Sequence, residues 1–373
     1  MYYLKFIKAL PLVISSLSAW GSTLPEWLSV SGFASTAAAK SDNTAPYYYS
    51  RNISDEWCFD CDTIVGLQLD AHPNDWLHLS VQGVKRPVDN FSEPALEWAY
   101  VAFSPTESFS LRTGRLRSPT FMYSQVVFVN QAYPWLRLPA EVYDTTKGFT
   151  RYDGLDARYQ IETDNDLIIT FHPYMAYKST IRDNEINNYS WDVYIHEHYG
   201  LKLDIEGINW SAYLNHYRAD ITVTSDELLV PSGFPVLPTT PFVPFKQDVQ
   251  TKSWTYGIKY DWQDWTFVFE GAGSDSTSWG GYLSAIYTWD KFTPYIVYGK
   301  RSPTSDDNPE KSDSFSLGLR YDIKPNLSIV GEWHHTKTGD GNYRGSFTPP
   351  TIQEIEDRSA NIISIGINYS FAF

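Results

Sequence analysis

Two short motifs hold the residues best placed for chemistry. In "WCFDC", Cys58 and Cys61 lie three positions apart. Such a pair can form a tight disulfide, cycle as a redox couple, or supply half of a structural zinc site. Thioredoxin-like chemistry needs a βαβ setting, and a closed zinc site needs a second pair. The chain has only two cysteines, so a structural disulfide is the expectation and no metal is expected. In "YIHEHYG", His196 and His198 share one face of an extended strand, with Glu197 on the other. Two imidazoles begin a metal site, but no third ligand stands nearby, so a pair on a wall or rim is favoured. His334 and His335 are adjacent and face opposite ways. No G-x-S-x-G, H-E-x-x-H or phosphate-cradling loop is present, so no enzymatic activity and no cofactor are expected.

The elements that carry these residues read as strands. "WTYGIKYDW" places Trp254, Tyr256, Ile258, Tyr260 and Trp262 on one parity, with Thr255, Gly257, Lys259 and Asp261 on the other. "FSLGLRYDI", "TIVGLQLDA" and "YGLKLDI" repeat the pattern, and so does the last segment, "NIISIGINYSFAF". One face is bulky and aromatic, the other small or charged. A sandwich would solvate its polar face, where a glycine at mid-strand weakens the strand. A curved barrel interior tolerates glycine better. Short turns fall at His72–Asp75, Pro105–Ser108, Thr163–Asp166, Glu206–Asn209, Trp262–Asp264, Asp290–Lys291 and Lys324–Asn326. Those seven turns alternate with eight longer connections, which predicts sixteen antiparallel strands closed into one transmembrane β-barrel.

Composition agrees with that class. Aromatic residues make up 16% of the chain, as suits girdles at a membrane interface. No run of ~18 apolar residues follows the N-terminus, so no spanning helix is expected. The opening "MYYLKFIKALPLVISSLSAWGS" has basic, apolar and small-residue parts in the order of a secretory leader, with cleavage expected after Gly21. Residues 22–373 then form a single barrel domain. A net charge of -15 argues against a nucleic-acid partner. Acidic groups gather in the longer connections, at Asp55, Glu56, Asp60 and Asp62, at Asp306, Asp307, Glu310 and Asp313, and at Glu354, Glu356 and Asp357. Such a mouth concentrates cations, and equally suits divalent bridging to lipopolysaccharide.

A terminal alternating strand ending in Phe373 resembles the assembly signal of Gram-negative outer-membrane barrels. The sixteen-strand plan is similar to that of the outer-membrane porin superfamily over essentially the whole mature chain. The resemblance implies passive diffusion of small hydrophilic solutes and ions through a bacterial outer membrane. It also implies contact with lipid and lipopolysaccharide, insertion by the barrel-assembly machinery, and a homotrimer. It further implies that the third long connection, residues 117–149, folds into the pore.

On that plan the constriction candidates are basic residues on the preceding strand and acids in the loop. Arg112 has the interior parity, and a bulge past Gly114 would turn Arg115 and Arg117 inward instead. Glu141 and Asp144, with Glu97 on the strand before, are the acids that would set a transverse field across the channel. The loop departs from a polar constriction, because "VVFVNQAYPWLRLP" is largely apolar. Tyr133, Trp135 and Arg137 would make a stacking surface for sugars or organic acids in a substrate-selective channel. Alternatively, Val126, Val127, Phe128 and Trp135 anchor the loop to the wall or a neighbouring subunit. Lys202, Lys259, Arg320 and His198 are the wall candidates, and the proline-rich "DELLVPSGFPVLPTTPFVPFKQD" would cover the mouth or a second protomer. A barrel enzyme or a closed, adhesin-like barrel is the third class to separate.

Overall fold

A computed structural model describes residues 24–48, 51–87, 94–146, 150–186, 189–225, 245–275, 278–304, 311–339, 345–347 and 357–373. The expected leader lies outside these residues. So do residues 226–244 of the proline-rich segment and the acids Asp306, Asp307, Glu310, Glu354 and Glu356.

The strands follow one another as β1 Leu28–Ser41, β2 Ile64–Asn74, β3 Leu77–Lys85, β4 Ala95–Thr106, β5 Phe109–Arg117 and β6 Arg151–Glu162. Next come β7 Ile168–Ala176, β8 Ser179–Ile186, β9 Tyr189–Glu206, β10 Trp210–Ser225, β11 Phe245–Trp262 and β12 Trp265–Ser274. The last five are β13 Ser278–Tyr287, β14 Phe292–Pro303, β15 Ser312–Lys324, β16 Leu327–Thr338 and β17 Ser359–Ala372. All neighbours are antiparallel. β17 pairs back with β1 from Ser31↔Ala372 to Ser41↔Ile362, which leaves no edge. Val30 and Phe373 exchange both of their backbone hydrogen bonds, at 3.1 and 2.8 Å, so the last residue belongs to the seam.

β7 and β8 form two halves of one stave, because β7 pairs with β9 over Tyr199–Glu206 and β8 pairs with it over Tyr189–Ile195. The wall therefore has sixteen staves, as the turn count predicts. The connections are less regular than expected. Only residues 187–188 separate β8 from β9, and only 275–277 separate β12 from β13. Chain length there goes into tall strands, such as the 18-residue β9, rather than into a loop.

The two faces separate as the alternation predicts. Ile363 and Ile365 are 58% and 62% exposed, whereas Ser364 between them is 1% exposed. Trp254, Tyr256, Ile258, Tyr260 and Trp262 are likewise exposed, while Ser253 and Thr255 are buried. An outward surface of this composition is stable against hydrocarbon rather than water. The inward face of a porous barrel would be wet, yet many inward residues here are buried. The reason is the chain between β5 and β6.

Candidate functional site

Residues 118–146 leave β5 and fold into the lumen in short helical pieces at Ser124–Val126, Asn130–Ala132, α1 Ala140–Tyr143 and Asp144–Thr146. Pro134 and Pro139 interrupt any longer helix. Several side chains of this segment find their partners on the wall.

The first anchor is Glu270, which projects inward from β12 and is fully buried. One carboxylate oxygen accepts from the Met122 N–H at 2.8 Å and the Tyr213 hydroxyl at 2.7 Å. The other accepts from Tyr143 at 2.8 Å and Tyr282 at 2.6 Å. Two of these four donors come from the loop and two from the wall, so a single acid ties them together. Beside it, the Thr255 hydroxyl donates to the Thr120 carbonyl.

The second anchor is Arg137. Its guanidinium donates to Asp62 twice, at 2.9 and 2.5 Å, and to the Ser364 hydroxyl at 3.0 Å. Its other terminal nitrogen lies 3.6 Å from Glu332. Asp62 also takes the Arg51 Nε–H at 2.5 Å, so the connection between β1 and β2 is pinned to the loop. Burial alone would raise the Asp62 carboxyl, but Arg137 and Arg51 hold it below the ordinary carboxylate range. A depressed folded-state value stabilises above the unfolded one and loses that stabilisation as pH falls through the folded one. Protection of the backbone around Arg137 against hydrogen exchange should thus hold from neutral pH down to about 4 and decline below it. A decline beginning near neutrality would contradict this account.

Apolar packing completes the seat. Trp135 is fully buried against Tyr282 and donates its indole N–H to Ser284 at 3.0 Å. The Tyr133 hydroxyl donates to Asn130 at 2.8 Å, and Leu136 donates its N–H to Tyr295 at 3.2 Å. Phe128 and Val129 pack on Phe33, Ile64 and Val84 across the lumen. Mid-strand glycines make this approach possible: a Cβ on Gly280 would meet the Glu141 carbonyl, and one on Gly366 would meet the Leu136 side chain. Other inward glycines make room for wall side chains instead, as Gly318 does for Tyr295 and Gly257 for Tyr213.

These positions correct several expectations. Tyr133 and Trp135 offer no open stacking surface, because the wall covers them. Arg112 does point inward, but Asp156 on the next strand takes its guanidinium at 2.8 and 2.5 Å. The alternative of a slip past Gly114 does not occur. The β5–β6 register runs unbroken from Phe109↔Tyr159 to Arg117↔Arg151, and the nearby shifts fall between Gln82 and Gly83 in the β3–β4 pairing and between Phe103 and Thr106 at the turn end of the β4–β5 pairing. Arg115 therefore keeps the outward parity of Leu111 and pairs with Asp153 at 2.7 Å. Arg117 turns in at the strand end, where it joins Arg151 and Arg86 around the buried Glu97, at 2.9, 2.8 and 3.4 Å. Glu141 lies buried against β13 and β14, and Asp144 is half-buried. All three arginines are met by wall carboxylates, so among the described residues these candidates form no separated rows of opposite charge across an open gap.

Among the wall candidates, Lys202 pairs with Asp204 at 2.8 Å and sits over the Tyr213 ring. Lys259 pairs with Asp261 at 3.2 Å and stays partly exposed. Arg320 holds the loop, donating to the carbonyls of Tyr133 at 2.8 Å and Gln131 at 3.2 Å. His198 lies among the rings of Tyr152, Tyr174 and Tyr217. A register shift between Asp220 and Ile221 separates it from His196, which instead meets the Thr222 hydroxyl at 2.8 Å. That bulge removes the shared face on which a two-histidine site would depend. Cys58 and Cys61 are joined in a disulfide. Asp62, Glu270, Glu332 and Arg158 were not singled out as constriction or wall residues. A lone acid on an inward parity between Val268 and Ala272 is the signal that marks Glu270.

Space remains on the side opposite the loop's main seat. A cavity of about 360 Å³ lies under Phe121 and Met122 and is walled by Arg158, His172, Lys202 and Asp204. It reaches the short turns at Glu107 and Glu206.

No protein-family model matches the chain, and no curated protein does. Solved structures do. An anion-selective porin from Comamonas acidovorans aligns over 92% of this chain and 99% of its own at 13% identity, with a TM-score of 0.60. Salmonella typhi OmpF, solved with daunomycin, aligns over 92% and 97% at 13% identity and 0.58. OmpT, an outer membrane protein of Vibrio cholerae, aligns over 93% and 99% at 11% identity and 0.56. The chain has the sixteen-stranded, porin-like fold.

Proposed function

We propose that this protein is an outer-membrane channel of the porin kind, through which small hydrophilic solutes and ions diffuse passively. We infer that it is a restrictive channel rather than a wide general pore. The observation that carries this reading is the loop of residues 118–146, whose Tyr133, Trp135, Leu136 and Arg137 are all buried against the inner wall. A lumen filled in this way confines solutes to the β5–β9 side, where the cavity and its charged residues lie. The outward belt of Leu, Ile, Trp and Tyr suits lipid. Recognition of Phe373 by the assembly machinery, contact with lipopolysaccharide, cleavage after Gly21 and a homotrimer belong to the same proposal.

Planar-bilayer recording of the purified protein tests it. We expect small conductance steps, and a several-fold increase when Tyr133 and Trp135 are both replaced by Ala. Solute flux should saturate in the native protein and lose that saturation in the double variant. Large native steps with no saturation would favour a general pore. Silence from both proteins, each a folded barrel, would defeat the channel reading.

A further inference from the structure

The cavity beneath Phe121 contains an imbalance of hydrogen-bonding groups. Twelve arginines have described side chains if those at 51, 86, 112, 115, 117, 137, 151, 158, 218, 301, 320 and 358 are counted. Among the described residues, Arg158 is the one of these whose side chain makes neither a hydrogen bond nor an ion pair. Its Nε is buried without an acceptor. Gln125 reaches the same cavity from the loop, and its Nε2 is also buried without an acceptor. Both unpaired groups are donors. Among the described lining residues, no buried side-chain acceptor is without a partner, and Asp204 takes Lys202 through one oxygen. A buried donor without a partner costs about 1–3 kcal/mol, so two beside one cavity point to an acceptor from outside the chain.

We propose that this cavity binds a small monocarboxylate, whose oxygens accept from the Arg158 guanidinium and the Gln125 amide. A guanidinium in a partly dehydrated setting favours a planar carboxylate, which it can meet with two parallel N–H groups. The ligand carries one charge rather than two. Asp204 and the acids Glu107 and Glu206 at the turn side leave no second site for a negative group. Its body is small and partly apolar. Phe121, Met122 and Pro119 line one side of the cavity, and about 360 Å³ is near the lower end of the usual range for a ligand pocket. The site lies under the loop, on the turn side of the barrel.

This inference rests on the channel reading, since it names the solute class the lumen retains, but its test requires no conduction. Fluorine NMR of para-fluorobenzoate, titrated with the whole barrel in lipid nanodiscs, reports binding directly. We expect saturable broadening with the native protein, none with the neutral para-fluorobenzamide, and weaker binding of a dicarboxylate. Arg158→Gln should weaken binding at least about tenfold, with partial retention in Arg158→Lys. Gln125→Ala should weaken it by a smaller factor and serves if Arg158→Gln does not form a barrel. Equal binding of the acid and the amide would overturn the proposal, as would binding unchanged in the variants or absent in the native protein. Conduction without benzoate binding would defeat this inference alone. Benzoate binding by a barrel that stays silent would defeat the channel reading.

Discussion

Replacing Arg137 with Ala should release the inward loop. The substitution removes a guanidinium that is buried together with its two acidic neighbours, Asp62 and Glu332. Truncating it leaves Glu332 without a cation and Asp62 with Arg51 alone, at a cost of about 3–5 kcal/mol. The wall has its own ladder of hydrogen bonds, so the cost falls on loop docking rather than on the barrel. We expect hydrogen-exchange protection of residues 130–142 to fall by about two to three orders of magnitude, while β11 and β15 stay protected. Single-channel records should change from steady steps to rapid fluctuation. The triple variant Arg137→Met, Asp62→Leu and Glu332→Leu should recover more of the docking than Arg137→Met with Asp62→Leu, which still leaves Glu332 without its cation, because apolar side chains of similar volume can replace a buried charged group at little cost. If the single variant exchanges like the native protein, Arg137 is not the clamp described here.

Glu270→Ala has the second large effect. It leaves the Met122 N–H and the hydroxyls of Tyr143, Tyr213 and Tyr282 without their common acceptor. Hydrogen bonds to a charged group contribute about 1.5–3 kcal/mol each and are not additive, so a loss of at least about 3 kcal/mol in docking is expected. Glu270→Gln discriminates between charge and geometry. The amide keeps one oxygen for two donors and turns a second pair of donors against an NH₂ group, so it should behave closer to Ala than to Glu. Tyr282→Phe removes one donor and should cost about 1 kcal/mol, visible as slightly faster exchange at Met122. A Gln variant with native exchange and native conductance would show that the carboxylate is not needed.

Both predictions concern contacts that local sequence pattern does not reveal. Period-two alternation made β11, β15 and β17 legible, because the membrane demands one apolar parity along each strand. Turn chemistry placed all seven short connections. The loop's destination was legible only through resemblance, and its partners were not. Arg137 meets Asp62 from 75 positions away, and Trp135 meets Ser284 from 149. Nothing near either residue specifies that partner. Trp135 suits an open stacking surface and a buried anchor equally well until Tyr282 and Ser284 are placed beside it. Arg115 was misjudged for a related reason. A glycine permits a bulge without requiring one, and the nearby register shifts lie in the β3–β4 pairing, between Gln82 and Gly83, and at the turn end of the β4–β5 pairing. The tight connections at 187–188 and 275–277 were missed because polar residues at the top of a tall strand resemble a loop.

The seam between β1 and β17 also bears on folding. Every other pairing in the wall joins successive staves, or β7 to β9 across the short β8, but the seam unites ends such as Asn43 and Asp357, which are 314 positions apart. Its contact order is the largest in the molecule, and the loop-closure entropy must be met before any of its hydrogen bonds form. The hairpins can therefore zip in sequence, leaving closure as the slow, late step. Until then two strand edges are unpaired, and the intermediate is most prone to edge-to-edge aggregation. Because Phe373 exchanges both of its backbone hydrogen bonds with Val30, it takes part in that late closure.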